Sequence, residues 1–189
     1  SFGGTTALNF FKRAKLQPGE SVLINGASGA VGTAAVQLAK HFGAEVTAVC
    51  STPKVALVTS IGADHVIDYT SEDFTKNGQT YDVIMDTAGT APFNRSKGSL
   101  KPKGRLLLVL AGLPDMLQML WVSLLSGKKF VAGPAFGKSD DLRFLAELAR
   151  AGEFKPVIDR CYPFELIADA HRYVDTGRKK GNVVIIMTH

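Results

Sequence analysis

The sequence predicts an α/β fold built on a doubly wound, parallel, six-stranded sheet. Short apolar runs alternate with segments of helical spacing along most of the chain. The runs are apolar throughout, as in strands covered on both faces, and the first of them stops at a glycine-rich turn that opens a helix. Composition agrees: 189 residues with 46% hydrophobic and 21% charged side chains suit a globular domain and exclude disorder, collagen and coiled coil.

The chain begins without Met, inside a segment of helical spacing, which suits a piece of a longer protein. After the turn signal Pro18-Gly19, Ser21 to Asn25 (SVLIN) reads as the first strand and Val31 to Phe42 as a helix. The unit then repeats. Glu45 to Cys50 is a strand, Lys54 to Ile61 a helix, His65 to Asp68 a strand, and Ser71 to Lys76 a short helix. Asp82 to Asp86 follows as a strand, then a helix-like stretch near Ala91 to Leu100, the strand Arg105 to Leu110 and the apolar helix Asp115 to Leu125. Lys128 to Ala132 is the sixth strand, and Ser139 or Asp140 can cap a helix that runs to about Ala151. Residues 1–153 therefore form the main domain. The rest, 154–189, holds a strand-like stretch from Pro156 to Tyr162, a helix from Glu165 to Val174 and a strand from Val183 to Met187, and is expected to join a second lobe absent from this sequence.

Charge and cysteine content narrow the setting. Lys and Arg exceed Asp and Glu by 22 to 17, a net +5 interspersed along the chain, which points to a solvated surface or phosphate-bearing ligands and not to nucleic acid. Cys50 and Cys161 have no CxxC or other partner motif, so free buried thiols in a reducing, cytoplasmic setting are expected. The most apolar stretch, Leu106 to Leu125, is broken by Gly112, Pro114, Asp115 and Gln118, so no membrane span is expected.

The turn after the first strand carries the chemistry. It reads Gly26-Ala27-Ser28-Gly29-Ala30-Val31-Gly32, glycines at every third position between a strand and a helix. Gly26 allows the tight turn, Gly29 lets backbone approach a pyrophosphate, and Gly32 lets the helix pack on the sheet. The helix start adds free N–H groups and a positive dipole. This is the setting of a dinucleotide-binding Rossmann fold.

Other chemistries fail on the same residues. No GxxxxGK[ST] string occurs, which argues against a P-loop, and no Tyr is followed four positions later by Lys, which excludes the short-chain dehydrogenase pair. Ser28 lacks the G-x-S-x-G setting of a hydrolase nucleophile. His41, His65, His171 and His189 show no metal-ligand spacing, so each reads as a surface or cap residue and no metal is expected. Met116, Met119 and Trp121 form a helical stripe better read as core or subunit interface than as a quinone slot.

The strings GASGAVGTAAVQLAKHFGAEVTAVCS, IGADHVIDYT, YDVIMDTAG and GRKKGNVVIIM occur in that order. Together they make the chain resemble the cofactor domain of the medium-chain dehydrogenase/reductase superfamily, zinc-type alcohol dehydrogenase-like, in its quinone oxidoreductase-like branch. The resemblance covers nearly the whole chain. It implies an NAD(P)H-dependent oxidoreductase whose catalytic domain precedes Ser1, passing hydride to a small-molecule quinone, activated alkene or carbonyl. No catalytic residue is identified in this stretch. The resemblance also places Tyr69, Thr87, Ala111 and Gly112 beside the cofactor, with Ser28, Ala30 and Val31 in the glycine turn, and implies a homodimer paired through the sixth strand. The zinc-dependent members carry a cysteine ligand 25 positions ahead of the first motif glycine, where this chain has Ser1. That favours the zinc-free branch.

Cofactor choice has a physical basis. NAD specificity rests on a carboxylate at the end of the second strand, and here that end reads Val49-Cys50-Ser51-Thr52. Ser51 can donate a hydrogen bond and Lys54 can supply charge to a 2′-phosphate, so NADPH is expected over NADH; Glu45 lies at the wrong end of the strand to interfere. Two other readings stay open: the cofactor domain of a zinc-dependent alcohol dehydrogenase, and a nucleotide-binding sensor without catalysis.

Overall fold

The computed structural model describes residues 2–110, 129–135 and 137–187. Helix α1 (Phe2–Ala14) leads into β1 (Ser21–Asn25), α2 (Ala30–His41) and β2 (Glu45–Cys50). Then come α3 (Val55–Ser60), β3 (His65–Asp68), β4 (Tyr81–Asp86), α4 (Phe93–Ser96), β5 (Leu100–Leu108) and β6 (Lys129–Ala132). Helix α5 (Ser139–Arg150) precedes a tail of β7 (Ile158–Pro163), α6 (Ile167–Asp175) and β8 (Asn182–Ile186).

Strands β1 to β6 form one parallel sheet in the order β3-β2-β1-β4-β5-β6, the doubly wound arrangement the sequence predicts. Successive strand side chains alternate between its two faces. Val22, Ile24, Val46, Ala48, Val83, Met85 and Leu107 belong to a core with residues of α1, α2, α3 and α5. Leu23, Val49, Ile67, Ile84, Leu106 and Leu108 form a second core with Phe74, Ala91 and Phe93. Both faces are thus buried, which is why the strands read as unbroken apolar runs. Close contact between α1 and α2 depends on Gly3, where a Cβ would lie 2.2 Å from the Ala30 carbonyl oxygen.

Five expectations change. Residues 71–76 form turns, not a helix: the Asp73 carboxylate accepts the Thr75 N–H at 3.0 Å and its hydroxyl at 2.8 Å, and such local bonds compete with helical ones. The stretch from Ala91 to Leu100 is helical only over α4 and the single 3₁₀ turn Lys97–Ser99. Strand β5 starts at Leu100, five residues ahead of Arg105, because Lys103 at φ +65° and a register shift take up the Pro102-Lys103-Gly104 turn signal as an irregularity within the strand. Helix α5 is capped at Lys138, whose N–H donates to the Asp141 carboxylate at 3.2 Å, and not at Ser139 or Asp140. Cys50 is buried as expected, but Cys161 is exposed. The predicted helix Asp115–Leu125, with Met116, Met119 and Trp121, lies outside the described residues, as do Ala111 and Gly112.

Strands β7 and β8 pair in parallel as a separate two-stranded sheet, with Ile158, Phe164, Leu166, Ile186 and Met187 exposed. Hydrogen bonds tie this tail to the main sheet's helices and turn. Gln37 of α2 exchanges hydrogen bonds with the Lys155 backbone at 3.0 and 2.7 Å, and Gly181 N–H donates to the Ser28 carbonyl at 2.9 Å.

Candidate nucleotide-binding site

The strand order reverses between β1 and β4, and in an open α/β sheet the crevice at the carboxyl ends of those strands is where ligands bind. The glycine turn opens there. Gly26 and Ala27 N–H donate to the Val49 carbonyl at 3.2 and 3.0 Å, which pins the turn to the end of β2. Gly26 takes φ +80°, and a Cβ on it would meet the Thr87 hydroxyl at 2.7 Å. At Gly32 a Cβ would lie 2.2 Å from the Gly26 carbonyl oxygen, so α2 rests directly on the turn. Gly29 is different: it precedes α2 with φ −81° and its nearest neighbour to a Cβ would be 3.6 Å away. Among the described residues nothing excludes a side chain at Gly29, and the open space before the helix start fits the phosphates of a dinucleotide.

Two cavities flank this point. One of about 470 Å³ lies toward β2 and β3 and is lined by Asn25, Gly26, Val49, Tyr69, Ala88 and Arg95 among others. Another of about 510 Å³ lies toward β5 and β6, lined by Thr6, Val31, Thr87, Val109, Leu110 and Pro134 among others. A ligand with two arms joined at a pyrophosphate matches two hollows on either side of a glycine turn. Tyr69, 62% exposed, is held by its N–H to the Cys50 carbonyl at 3.0 Å. The Thr87 hydroxyl donates to the Asn25 carbonyl at 2.9 Å, locking β4's end to β1's. Ser28 is buried, with its carbonyl occupied by Gly181; Ala30 and Val31 are half-buried at the start of α2.

Ser51 and Lys54 bracket a 3₁₀ turn after β2, closed by Lys54 N–H to the Ser51 carbonyl at 2.8 Å, and both are half-buried. The end of β2 is less free of negative charge than the sequence suggests. Asp68, at the end of the adjacent β3, accepts the Thr52 hydroxyl at 2.5 Å and the Thr70 hydroxyl at 2.7 Å. Those bonds from Thr52 and Thr70 hold its carboxyl below the usual range. Burial, and then the charge of Asp68, push the Cys50 thiol up. Glu45, at the far end of β2, pairs with His65 at 2.8 Å and stays away from the site. His41, His65 and His171 are exposed; His189 lies outside the described residues.

Sequence reasoning missed Asp86. Its buried carboxylate accepts Asn25 Nδ2 at 2.9 Å and the N–H groups of Ala88, Gly89 and Ala91 at 3.0, 3.0 and 2.8 Å. It therefore shapes the loop that lines the first cavity. Its only signal was its place at a strand's carboxyl end. Among the described residues no group of three or more His, Cys, Asp or Glu is arranged to hold a metal ion. No described helix is long and apolar enough to cross a membrane.

Comparison with known proteins follows the same line. A family model described as zinc-binding dehydrogenase matches residues 61–185. The chain is 35% identical over 184 residues to 2-methylene-furan-3-one reductase of Solanum lycopersicum, covering 95% of this chain and 44% of that protein. It is 33% identical over 177 residues to the chloroplastic NADPH-dependent alkenal/one oxidoreductase of Arabidopsis thaliana, covering 92% of this chain and 42% of the other. The solved structure of the quinone oxidoreductase from Coxiella burnetii superposes with a TM-score of 0.86 at 26% identity, over 97% of this chain and 57% of that one. The chain spans about half the length of the curated relatives it matches. A six-stranded sheet in this order, a glycine turn at its reversal point and the matched family model converge: the chain belongs to the zinc-binding dehydrogenase family of the medium-chain dehydrogenase/reductase superfamily, on its quinone oxidoreductase-like side.

Proposed function

We propose that this chain is the cofactor-binding domain of an NADPH-dependent oxidoreductase that reduces a small quinone, activated alkene or carbonyl compound. The observation that carries this reading is Gly29, a motif glycine that no contact within the fold requires, set between two cavities at the point of strand-order reversal. Bound NADPH would supply hydride from nicotinamide C4. The residues present bind and orient. The glycine turn and the start of α2 receive the pyrophosphate, and Tyr69 with the Asp86-held loop walls the adenosine side. Thr6, Thr87, Val109 and Leu110 wall the other, mostly apolar side, which excludes water around the reacting ring. Ser51 and Lys54 discriminate for the 2′-phosphate. The names of the tomato, Arabidopsis and Coxiella relatives support an alkene or quinone acceptor.

Residues 154–187 are proposed to pack with the catalytic domain, their exposed apolar side chains facing it. We also read the protein as a homodimer and as cytoplasmic. Fractionation tests the latter, and recovery with plastids, as the Arabidopsis relative's name states for it, would overturn it.

Titration of the chain with NADPH and NADH by calorimetry, beside Lys54→Ala, tests the reading. Tighter binding of NADPH, with most of the preference lost in the variant, is expected. Equal affinity for both cofactors in the unaltered chain overturns the 2′-phosphate assignment, and binding of neither overturns the nucleotide reading.

A further inference from the structure

The run Arg178-Lys179-Lys180-Gly181 near the end of the tail has no part in the glycine motif, yet it lies on it. Gly181 N–H donates to the Ser28 carbonyl at 2.9 Å, and Gly29 and Gly181 form an isolated parallel bridge. Gly181 sits at φ +61°, and a Cβ on it would lie 2.4 Å from the Val157 carbonyl oxygen, so backbone geometry fixes this register. The register in turn places Lys179. Its ammonium donates to the Gly181 carbonyl at 2.8 Å, and its own carbonyl accepts from the Lys54 ammonium at 3.5 Å across 125 residues of sequence.

Two lysines 125 positions apart in sequence thus meet beside the glycine turn. Neither forms an ion pair with a carboxylate among the described residues. Burial lowers the Lys179 ammonium from the ordinary lysine range, the charge of Lys54 adds to that, and Asp159 opposes both. Like charges brought together in a half-buried place, with no carboxylate ion-paired to either among the described residues, favour an anion there. Asp68, held by Thr52 and Thr70, puts one negative charge beside the same turn. With Lys54 alone, Asp68 balances the local charge and a phosphate finds little attraction; Lys179 adds a second ammonium, offset in part by Asp159, whose carboxylate already accepts the Tyr173 hydroxyl at 2.6 Å and the Lys180 N–H at 2.9 Å.

We infer that Lys179, delivered by the docked tail, joins Lys54 in an anion site for the phosphate monoester that distinguishes NADPH from NADH. The inference rests on the nucleotide-binding reading and deepens it, since cofactor choice then depends on the tail and not on the turn after β2 alone.

The test titrates the chain, Lys179→Met and Lys179→Arg with NADPH and with NADH. Lys179→Met is expected to weaken NADPH about tenfold and NADH less than twofold, with most of the loss recovered in Lys179→Arg. Equal weakening of both nucleotides, or none, overturns the inference while a preference of the unaltered chain for NADPH leaves the wider reading standing. Binding of neither nucleotide by the unaltered chain overturns both. A measurement without substitution guards against a variant that fails to fold: acetylation of Lys179 in the unaltered chain, followed by mass spectrometry, should be blocked by NADPH and not by NADH. Equal blocking by the two nucleotides overturns the inference.

Discussion

The three motif glycines are alike in sequence and unlike in their reasons. At Gly32 an added methyl would lie 2.2 Å from the Gly26 carbonyl oxygen and 2.7 Å from Ala27 backbone atoms, none of which can rotate away. Gly32→Ala is therefore expected to destabilise the fold by about 2 kcal/mol or more, read as a lowered urea midpoint. At Gly29 the same methyl has room, and φ −81° suits any residue. Gly29→Ala should leave the unfolding free energy from urea curves within about 0.5 kcal/mol of the parent and weaken dinucleotide binding about tenfold or more, because the methyl takes the space a pyrophosphate needs. Unchanged affinity in Gly29→Ala would remove the glycine turn as the phosphate cradle. The spacing of these glycines was legible in the sequence; which of them serves the ligand was not, since that depends on what surrounds each Cβ position.

At the scale of elements, helices α1 and α5 are joined by a charge that titrates. Lys12 of α1 donates to the Asp141 carboxylate at 2.5 Å, and Asp141 also accepts the Lys138 N–H that starts α5. The Lys12 bond above all holds the Asp141 carboxyl below its ordinary value of 3.8. A folded-state value below the unfolded one means that the unfolded chain takes up the proton first as pH falls. The stabilisation is fully present above pH 3.8 and is lost as pH falls from there through the folded-state value. Lys12 is 55% exposed, so the bond contributes about 1 kcal/mol. Asp141→Asn should lower stability by that amount at neutral pH, and the gap should narrow in unfolding curves as pH falls below 3.8 and close once the folded-state carboxyl is protonated; a gap that persists there would assign the loss to packing. Element types were mostly readable because both core faces demand apolar strands. The exception, residues 71–76, turned on local side-chain bonds, the Asp73 carboxylate accepting the Thr75 N–H and the Asp68 carboxylate the Thr70 N–H just ahead, which periodicity does not register.

For the whole molecule, β6 pairs only with β5 and leaves its other edge at the margin of the sheet among the described residues. An unpaired edge strand is a ready surface for a second chain. Sedimentation should give twice the chain's mass at micromolar concentration, and a single-chain mass there would overturn the dimer. The tail is the second feature at this scale: its two strands form their own sheet, and it meets the main fold at Gln37, Ser28 and Lys54 among other places. Its strands and helix were visible in the sequence, but its landing on the glycine turn was not.

By itself the sequence determined the α/β class, the parallel sheet, the glycine turn, the family and Ser51 and Lys54 as neighbours after β2. These follow from local spacing and from the need to bury both faces of each strand. Tertiary structure alone decided that Asp68 joins that turn from β3, that Asp86 organises the loop after β4, and that Lys179 meets Lys54. Each results from backbone register between segments distant in the chain, Cys50 against Asp68, Asn25 against Asp86 and Gly29 against Gly181. Charges act through space, so the sign of the field at the site belongs to the folded chain and to no single stretch of it.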